Sequence, residues 1–476
     1  MRKALLVAGI ALLPASLAGC VSGPDFRAPT PALPAAWSFE RADDVPGQLE
    51  QAPIQAAPAW WQRFGDPLLV SLVQRAVESN LDLQIADVRL TQSRAVRGST
   101  AADRSPAVSA GASAMRARNS QVGLSDPSGH AGLDDYGLYQ GGLSLSWELD
   151  LWGRVRRQVE AADAQIAMAR ADRQGAALAV MAETAQDYLQ LRGVQALTAI
   201  TQDNLVSAQA GLDLTHVRLG EGVATQLEVA SAAAQVAAIQ ARIPALEQQQ
   251  ASLINALSVM LAQSPRALAT ELRQARPVPA GPINVPVGLP SELAQRRPDI
   301  VRAEAALHAA TANIGLAKAS FYPRISLSGD AGYQAQQLSS MGDWGARRFG
   351  IGPVLSLPLF DGGRLRANLR LSTLRQEEAA LQYQKTVLLA WSEVDDAVSA
   401  YRTQQRRQQY LREAVNQSRI ALDSAQKQYK AGTVDMLNVL TMQQSMLNNE
   451  AALADSTTAV SVAMVSLYRA LGQGWG

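Results

Sequence analysis

Leu149-Asp150-Leu151-Trp152-Gly153-Arg154 returns as Phe360-Asp361-Gly362-Gly363-Arg364. From Gly153 and Gly363 onward the two stretches run in step at an offset of 210 with no gap. Gly222 meets Gly432, Leu227 meets Leu437, Val229 meets Val439, Leu257 meets Leu467 and Leu261 meets Leu471. Upstream the offset is 217: Asp82 meets Asp299 and Pro106 meets Pro323. The difference falls between proline and glycine, so one copy carries a longer loop there. A unit of about 200 residues is too long for a solenoid repeat. It reads as a duplicated domain with internal pseudo-symmetry.

Each copy contains one unusually long helical stretch. Residues 364–430 hold no proline and no glycine, and residues 154–219 hold no proline. At 1.5 Å per residue each helix runs about 100 Å. Val387, Trp391, Val394, Val398 and Tyr401 step 4-3-4-3, and Leu411, Val415, Ser418, Leu422, Ala425 and Tyr429 do likewise. Leu205, Ala208, Leu212, Thr215 and Leu219 repeat this in the first copy. That is coiled-coil spacing, with a narrow seam that needs a neighbour. Gly222 and Gly432 mark turns into a second helix, and Pro244 predicts a kink or short break in one of these. Asp66-Pro67 predicts the cap and first turn of an opening helix that runs to about Ala102.

Four short segments alternate with period two. In residues 325–331 and 143–149 the apolar residues share one face; Ser326, Ser328 and Asp330, or Ser144, Ser146 and Glu148, share the other. Residues 349–359 put Phe349, Ile351, Leu355, Leu357 and Leu359 on one side, and residues 107–116 alternate more weakly. Pro353 predicts a bulge and Pro358 the exit into the next helix. Such strands suit either a soluble sandwich or a transmembrane β-barrel.

The N-terminus favours the membrane. Arg2 and Lys3 precede a short apolar run, too short to span a bilayer, which ends in Leu17-Ala18-Gly19-Cys20. These four residues resemble the lipobox of bacterial lipoproteins. The resemblance implies cleavage before Cys20 and lipid on its thiol and new amino group. Val21, standing where an acidic residue would retain the protein at the inner membrane, implies the outer membrane. Cys20 is the only cysteine, which leaves none for disulfides or thiol catalysis. His130, His216 and His308 lie far apart, with no metal-ligand spacing. The 43 basic and 42 acidic residues form no stripe that would hold nucleic acid. No cofactor is expected. Glu393, Asp395 and Asp396 cluster on a helix without a nucleophile or phosphate cradle, and read as a solvated face rather than as a catalytic site.

Four strands cannot close a barrel, and an open edge in lipid leaves backbone groups unpaired. The chain is therefore expected to assemble, with eight, twelve or sixteen strands from two, three or four copies. Glycine and serine on the inner face favour an open lumen.

These residues closely resemble the TolC-type outer-membrane efflux channels, lipoprotein subfamily, that serve RND multidrug pumps. The motifs are Gly23-Pro24-Asp25-Phe26, Trp60-Trp61-Gln62-Arg63-Phe64-Gly65-Asp66-Pro67-Leu68, Leu289-Pro290-Ser291-Glu292-Leu293 with Arg296-Arg297-Pro298-Asp299-Ile300, Phe321-Tyr322-Pro323, and Phe360-Asp361-Gly362-Gly363-Arg364. The resemblance implies a mainly α fold with a membrane β-barrel. It implies that three chains build a TolC-like homotrimer with a twelve-stranded β-barrel, four strands per chain, continuous with a long twelve-helix α-barrel and an equatorial mixed domain. It implies a passive exit duct in the outer membrane, extending into the periplasm. An inner-membrane RND pump supplies the energy and a periplasmic adaptor links the two. A duct for protein secretion is the alternative, and the lipobox and the 289–300 motif favour efflux.

The expected organisation is a signal peptide over 1–19, a lipidated, proline-rich and extended segment over 20–65, a first repeat over 66–263, a proline-rich equatorial linker over 264–290 and a second repeat over 291–476. By resemblance the duct closes where the paired helices turn, at Gly222 and Gly432, which are also the expected adaptor contacts. The acidic residues usual in relatives are replaced here by Asn438 and Thr441, with Gln444 further on. Glu228, Asp435, Arg218 and Lys430 remain as candidate gate charges. Leu227, Met436 and Leu437 are the rival apolar seal.

Overall fold

The computed structural model of the chain describes residues 21–30, 49–50, 59–118, 120, 135–282, 285–287 and 293–474. The lipobox, Cys20, His130 and residues 289–292 lie outside them. The chain divides into two compact units. One comprises the N-terminal segment to Pro29, Leu90–Ala169 and Ala303–Tyr383; the other comprises Thr30–Arg89, Arg170–Arg302 and Gln384–Gly476.

In chain order the elements are α1 (Pro67–Ser79), α2 (Leu81–Ala102), β1 (Ala107–Ala117), β2 (Tyr136–Leu149), α3 (Arg154–Gly220), α4 (Gln226–Gln240), α5 (Arg242–Met260), α6 (Pro298–Ala319), β3 (Arg324–Ala335), β4 (Arg347–Ser356), α7 (Arg364–Lys430) and α8 (Met436–Ala470). The two long helices α3 and α7 are 67 residues each, and α2 and α6 are 22 each. Their starting residues differ by the same 210 and 217 that the sequence copies do. Both long helices begin on an aspartate. Asp150 accepts from the Val155 and Arg156 amides at 3.0 and 2.8 Å. Asp361 accepts from Gly363 and Leu365 at 3.0 and 2.9 Å. These carboxylates satisfy amides that a helix start leaves without partners, and they complement its dipole.

The first unit contains the sheet, in the order β1-β2-β3-β4, antiparallel throughout. Its register sets polar columns on one face: Ser109, Ser144 and Asp330 in a row, and Ser146 beside Ser328. Ser109 and Ser144 share a hydroxyl hydrogen bond of 2.7 Å. The other face carries Val108, Leu145, Leu143, Phe349, Ile351 and Leu355. This apolar face is uncovered, with Phe349 at 87% and Ile351 at 72% exposure. Among the described residues no second sheet packs on it, which removes the sandwich reading. Gly142 and Gly332 face each other so closely that a Cβ on either would fall within 2.6 Å of the opposing backbone.

Three corrections to the sequence reading follow. The opening helix is two helices, α1 and α2, because Asn80 takes extended backbone and its side chain accepts from the Asp82 and Leu83 amides. That local bond competes with helix continuation. No bulge forms at Pro353: the β3–β4 register runs unbroken through Leu327↔Pro353. The strand is the sheet's edge, where one side needs no donors. The stretch before Asp66 is not wholly a tether, because Trp60, Trp61 and Phe64 are buried in a 3-10 turn. The Trp60 ring stacks on Tyr468 at 5.3 Å. Pro244 follows the break after Gln240, as expected.

Ion pairs tie the helices side by side. In the first unit Arg97 of α2 reaches Asp163 of α3 at 2.9 Å, and Glu160 of α3 meets His308 of α6 at 3.0 Å. In the second unit Arg173 of α3 pairs with Asp87 of α2, and Asp172 of α3 with Arg302 of α6 at 2.7 Å. Arg297, just before α6, joins Glu393 of α7 at 2.7 Å and donates to the carbonyls of Ala390 and Ala470. The lateral order is thus α2-α3-α6-α7, matching the strands. The predicted seam is buried at Val387, Val394, Val398, Tyr401, Ala208, Thr215, Val415 and Tyr429. The segment Gln226–Met260 and helix α8 are apolar and long enough to cross a membrane. In α8 that character serves the core, where Met436, Val439, Leu447, Met464, Val465 and Leu467 are buried.

Helix α8 packs tightly on α3 at Gly193, where a Cβ would lie 2.2 Å from the Thr458 hydroxyl and 2.8 Å from its methyl. Gly193→Ala should destabilise by about 1–3 kcal/mol, the usual cost of overpacking. Thr458→Ala should recover part of that loss in a double-mutant cycle read by urea unfolding. Additive effects would show that the two positions do not touch.

Candidate functional site

The turns at the ends of α3 and α7 have the same construction. After α3, the Val223 amide donates to the Arg218 carbonyl at 2.9 Å and Gly222 to Leu219 at 3.0 Å. After α7, Thr433 donates to Gln428 and Gly432 to Tyr429, each at 3.0 Å. This pair of bonds closes a helix with a left-handed residue just past its cap. Gly222 and Gly432 hold that position at φ 74° and 75°. A Cβ would meet no atom within 4 Å at either, so backbone strain and not crowding requires glycine.

Each chain then restarts a helix on a capping side chain. Thr225 caps α4 and forms a capping box with Glu228. The Glu228 carboxylate accepts from the Thr225 amide at 2.7 Å and from its hydroxyl at 3.0 Å. Asp435 caps α8, accepting from the Asn438 amide at 3.1 Å. The Thr225 amide bond, more than any other partner, lowers the Glu228 pKa below its ordinary value; its hydroxyl, the Met436 amide and the Arg218 charge add to this against some desolvation.

Two residues of the first copy bind the second. The other Glu228 oxygen accepts from the Met436 amide at 3.4 Å. Arg218 donates to the Tyr429 carbonyl at 2.9 Å, with its guanidinium 4.3 Å from the centre of the Tyr429 ring. Below them, Ala232, Tyr429, Met436, Val439 and Leu440 form a buried cluster. A second cluster joins Ala208, Val236, Ile239 and Leu447. The two helix pairs of one chain are therefore fastened together at their turns.

The sequence candidates thus separate. Arg218 and Glu228 are engaged within the chain. Asp435 is exposed and caps its own helix, and Lys430 is exposed without a charged partner among the described residues. Leu227 and Leu437 project outward at 75% and 62% exposure, whereas Met436 is 2% exposed and belongs to the core. Tyr429 was not among the candidates, since its meeting with Arg218 depends on tertiary contact. The box Thr225-Gln226-Leu227-Glu228, by contrast, is visible in sequence. Glu393 is partnered by Arg297. No group of His, Cys, Asp or Glu that would hold a metal is found among the described residues.

The sequence model of the outer membrane efflux protein family matches residues 72–263 and 289–473. Outer membrane protein OprJ of Pseudomonas aeruginosa is 34% identical over 476 residues, covering all of this chain and 97% of that protein. The toluene efflux pump outer membrane protein TtgI of Pseudomonas putida is 33% identical, covering 96% of each. The pyoverdine export outer membrane protein OpmQ of Pseudomonas putida is 33% identical, covering 94% of each. Among solved structures, the outer-membrane channel OprN superposes with a TM-score of 0.87 at 36% identity, over 96% of this chain and 100% of that one. The CmeC outer membrane channel of Campylobacter jejuni shares the fold, with a TM-score of 0.86 at 22% identity, over 95% of each chain. This chain belongs to the outer membrane efflux protein family.

Proposed function

We propose that this channel protein is the passive exit duct of a tripartite efflux system. It works as a homotrimer, fed by an inner-membrane RND pump through a periplasmic adaptor, and carries out no catalysis. The observation that carries the reading is a four-stranded sheet with an uncovered apolar face, a face of serine, glycine and acid, and two edges, β1 and β4, that no strand pairs with among the described residues. Three copies in a ring give twelve strands, with lipid outside and a wet lumen inside. The names of TtgI and OpmQ concern toluene and pyoverdine, small molecules, which favours efflux over protein secretion. The lipobox supports acylation of Cys20 and a lipid anchor beside the barrel.

The repeat supplies the residues that meet between chains. Within one chain α3 packs on α6; across the ring α7 takes the part of α3 and α2 the part of α6. Both helices carry exposed apolar stripes: Leu81, Ile85, Val88 and Val96 on α2, and Leu371, Leu374, Leu381 and Leu388 on α7. Gly175 of α3 stands with its Cβ position 3.7 Å from the Pro298 Cβ. The offsets carry this pair to Lys385 and to Leu81 of the next chain. That spacing suits a disulfide. The double variant Leu81→Cys with Lys385→Cys should form covalent dimers and trimers on non-reducing gels, and neither single variant should. A double variant that stays monomeric would contradict this packing.

At the turns, Arg218 and Glu228 keep each chain's two helix pairs as one body. Exposed Lys430 and Asp435 then meet neighbouring chains in the resting seal. Charged contacts at a wet tip are individually weak, so an adaptor can replace them. Glu228→Gln with Asp435→Asn should raise resting conductance in planar bilayers and leave assembly intact. If that variant conducts like the parent while Leu437→Ala opens the pore, the seal is apolar. Met436→Ala is a poor probe, since emptying a buried site costs about 2–5 kcal/mol. Glu228 titrates below its ordinary 4.5. Its contribution is complete at neutral pH and is lost as pH falls through that lowered value. Resting conductance should therefore stay flat from neutral to mildly acidic pH and rise only below the ordinary glutamate range.

A further inference from the structure

The segment directly after the lipobox is clamped with a density of contacts that a loose tether does not need. The Ser22 amide donates to the Trp152 carbonyl at 3.0 Å. The Ser22 carbonyl accepts from Arg157 Nε at 3.1 Å. The Arg157 side chain is 4% exposed, and its two other nitrogens hold Asp25 and Glu160, each at 2.7 Å. Glu160 in turn meets His308, and the Phe26 ring stacks on that imidazole at 4.3 Å. Gly23 sits at φ 93°, and a Cβ there would lie 2.4 Å from the Gly315 Cα. Gly153, at φ 77°, leaves room for Val21, whose Cγ1 would lie 2.8 Å from a Cβ. Chain direction is thus fixed up to Val21, one residue from Cys20.

At that point a cavity of about 660 Å³ opens, lined by Val21, Trp152, Phe321, Tyr322, Leu369 and Lys318. The Trp152 ring stacks on Tyr322 at 4.9 Å, and its Nε1 donates to the Pro323 carbonyl at 2.8 Å. The wall is therefore aromatic and rigid. Phe321 and Tyr322 are partly exposed, as side chains of an aromatic belt at a membrane surface are. Lys318 is exposed and has no acidic partner among the described residues. An apolar wall with one free ammonium at its rim suits an acyl-glyceryl group. The acyl chains would lie along the rings, and the ester carbonyls would accept from the ammonium.

We propose that this cavity seats the acyl-glyceryl group carried by Cys20 of the same chain, and that the strap Ser22–Phe26 is the clamp that delivers it there. The proposal rests on the lipoprotein reading of Leu17-Ala18-Gly19-Cys20. The seat fixes where the lipid anchor leaves the protein, at the junction of β2 with α3 and of α6 with β3. The strap is then a positioning element, and its Arg157 anchor acts through it.

Cells producing the full chain are fed a diazirine-bearing fatty acid, irradiated, and the purified protein is digested for mass spectrometry. The expected product is an acylated N-terminal peptide joined through its own acyl chain to Trp152, Phe321, Tyr322 or Leu369. Phospholipid adducts differ because they lack the N-terminal peptide. Gly23→Ala displaces the strap against the Gly315 backbone. It should keep acylation at Cys20 and lose that cross-link. If the parent is acylated at Cys20 but no such product forms, the seat is wrong and the lipoprotein reading stands. An unacylated Cys20 overturns both. If Gly23→Ala cross-links as the parent does, the clamp is wrong.

Discussion

Among the described residues no strand pairs with the outer edges of β1 and β4. In water this would be an edge to protect; in hydrocarbon each unpaired group costs several kcal/mol. The apolar face of Val108, Leu143, Phe349, Ile351 and Leu355 directs this sheet to hydrocarbon, so the edges must be paired by other copies. The closed ring follows from that need. So does the division of residues between the faces, since the lumen face must tolerate water, and Ser109, Ser144, Ser146, Ser328 and Asp330 do. Opposed Gly142 and Gly332 let two strands approach where any side chain would collide, the kind of place where a curved sheet bends.

The duplication extends the same logic to the helices. α2 and α7 are the outer members of the row α2-α3-α6-α7, as β1 and β4 are of the sheet, and their outer sides carry leucine, isoleucine and valine. A gene that repeats one unit supplies two similar helix pairs, and their inner contact is a template for the outer one. At the turns the copies differ. The first copy provides Arg218 and Glu228, which reach into the second at Tyr429 and Met436. Offset by 210, their counterparts are Gln428 and Asn438, which are uncharged. The asymmetry lets one chain's two helix pairs be fastened from one side, leaving Lys430 and Asp435 free to face outward.

Much of this was legible in the chain. Matched offsets of 210 and 217 foretold helices of equal length, because a repeat without gaps requires the same number of residues in each copy. Gly222 and Gly432 announced the turns, since a left-handed position after a helix favours glycine. Ser-Leu alternation announced the strands. What escaped did so for stated reasons. Asn80 lies inside a helical pattern, although its side chain favours a local bond to the amides ahead of it. The prolines before Trp60 and Trp61 suggest a tether, and only tertiary contact with Tyr468 shows where the two rings go. The spacing of Glu228 from Thr225 marks a capping box, which accompanies a gate charge and does not exclude one. Arg218 over Tyr429 has no local signal, because the two residues are far apart in sequence.

The most direct test of the ring is the mass of the conducting particle. Native mass spectrometry in detergent, on the sample that conducts in planar bilayers, should give three chains. A single chain that conducts alone would contradict the account, because four strands cannot close around water.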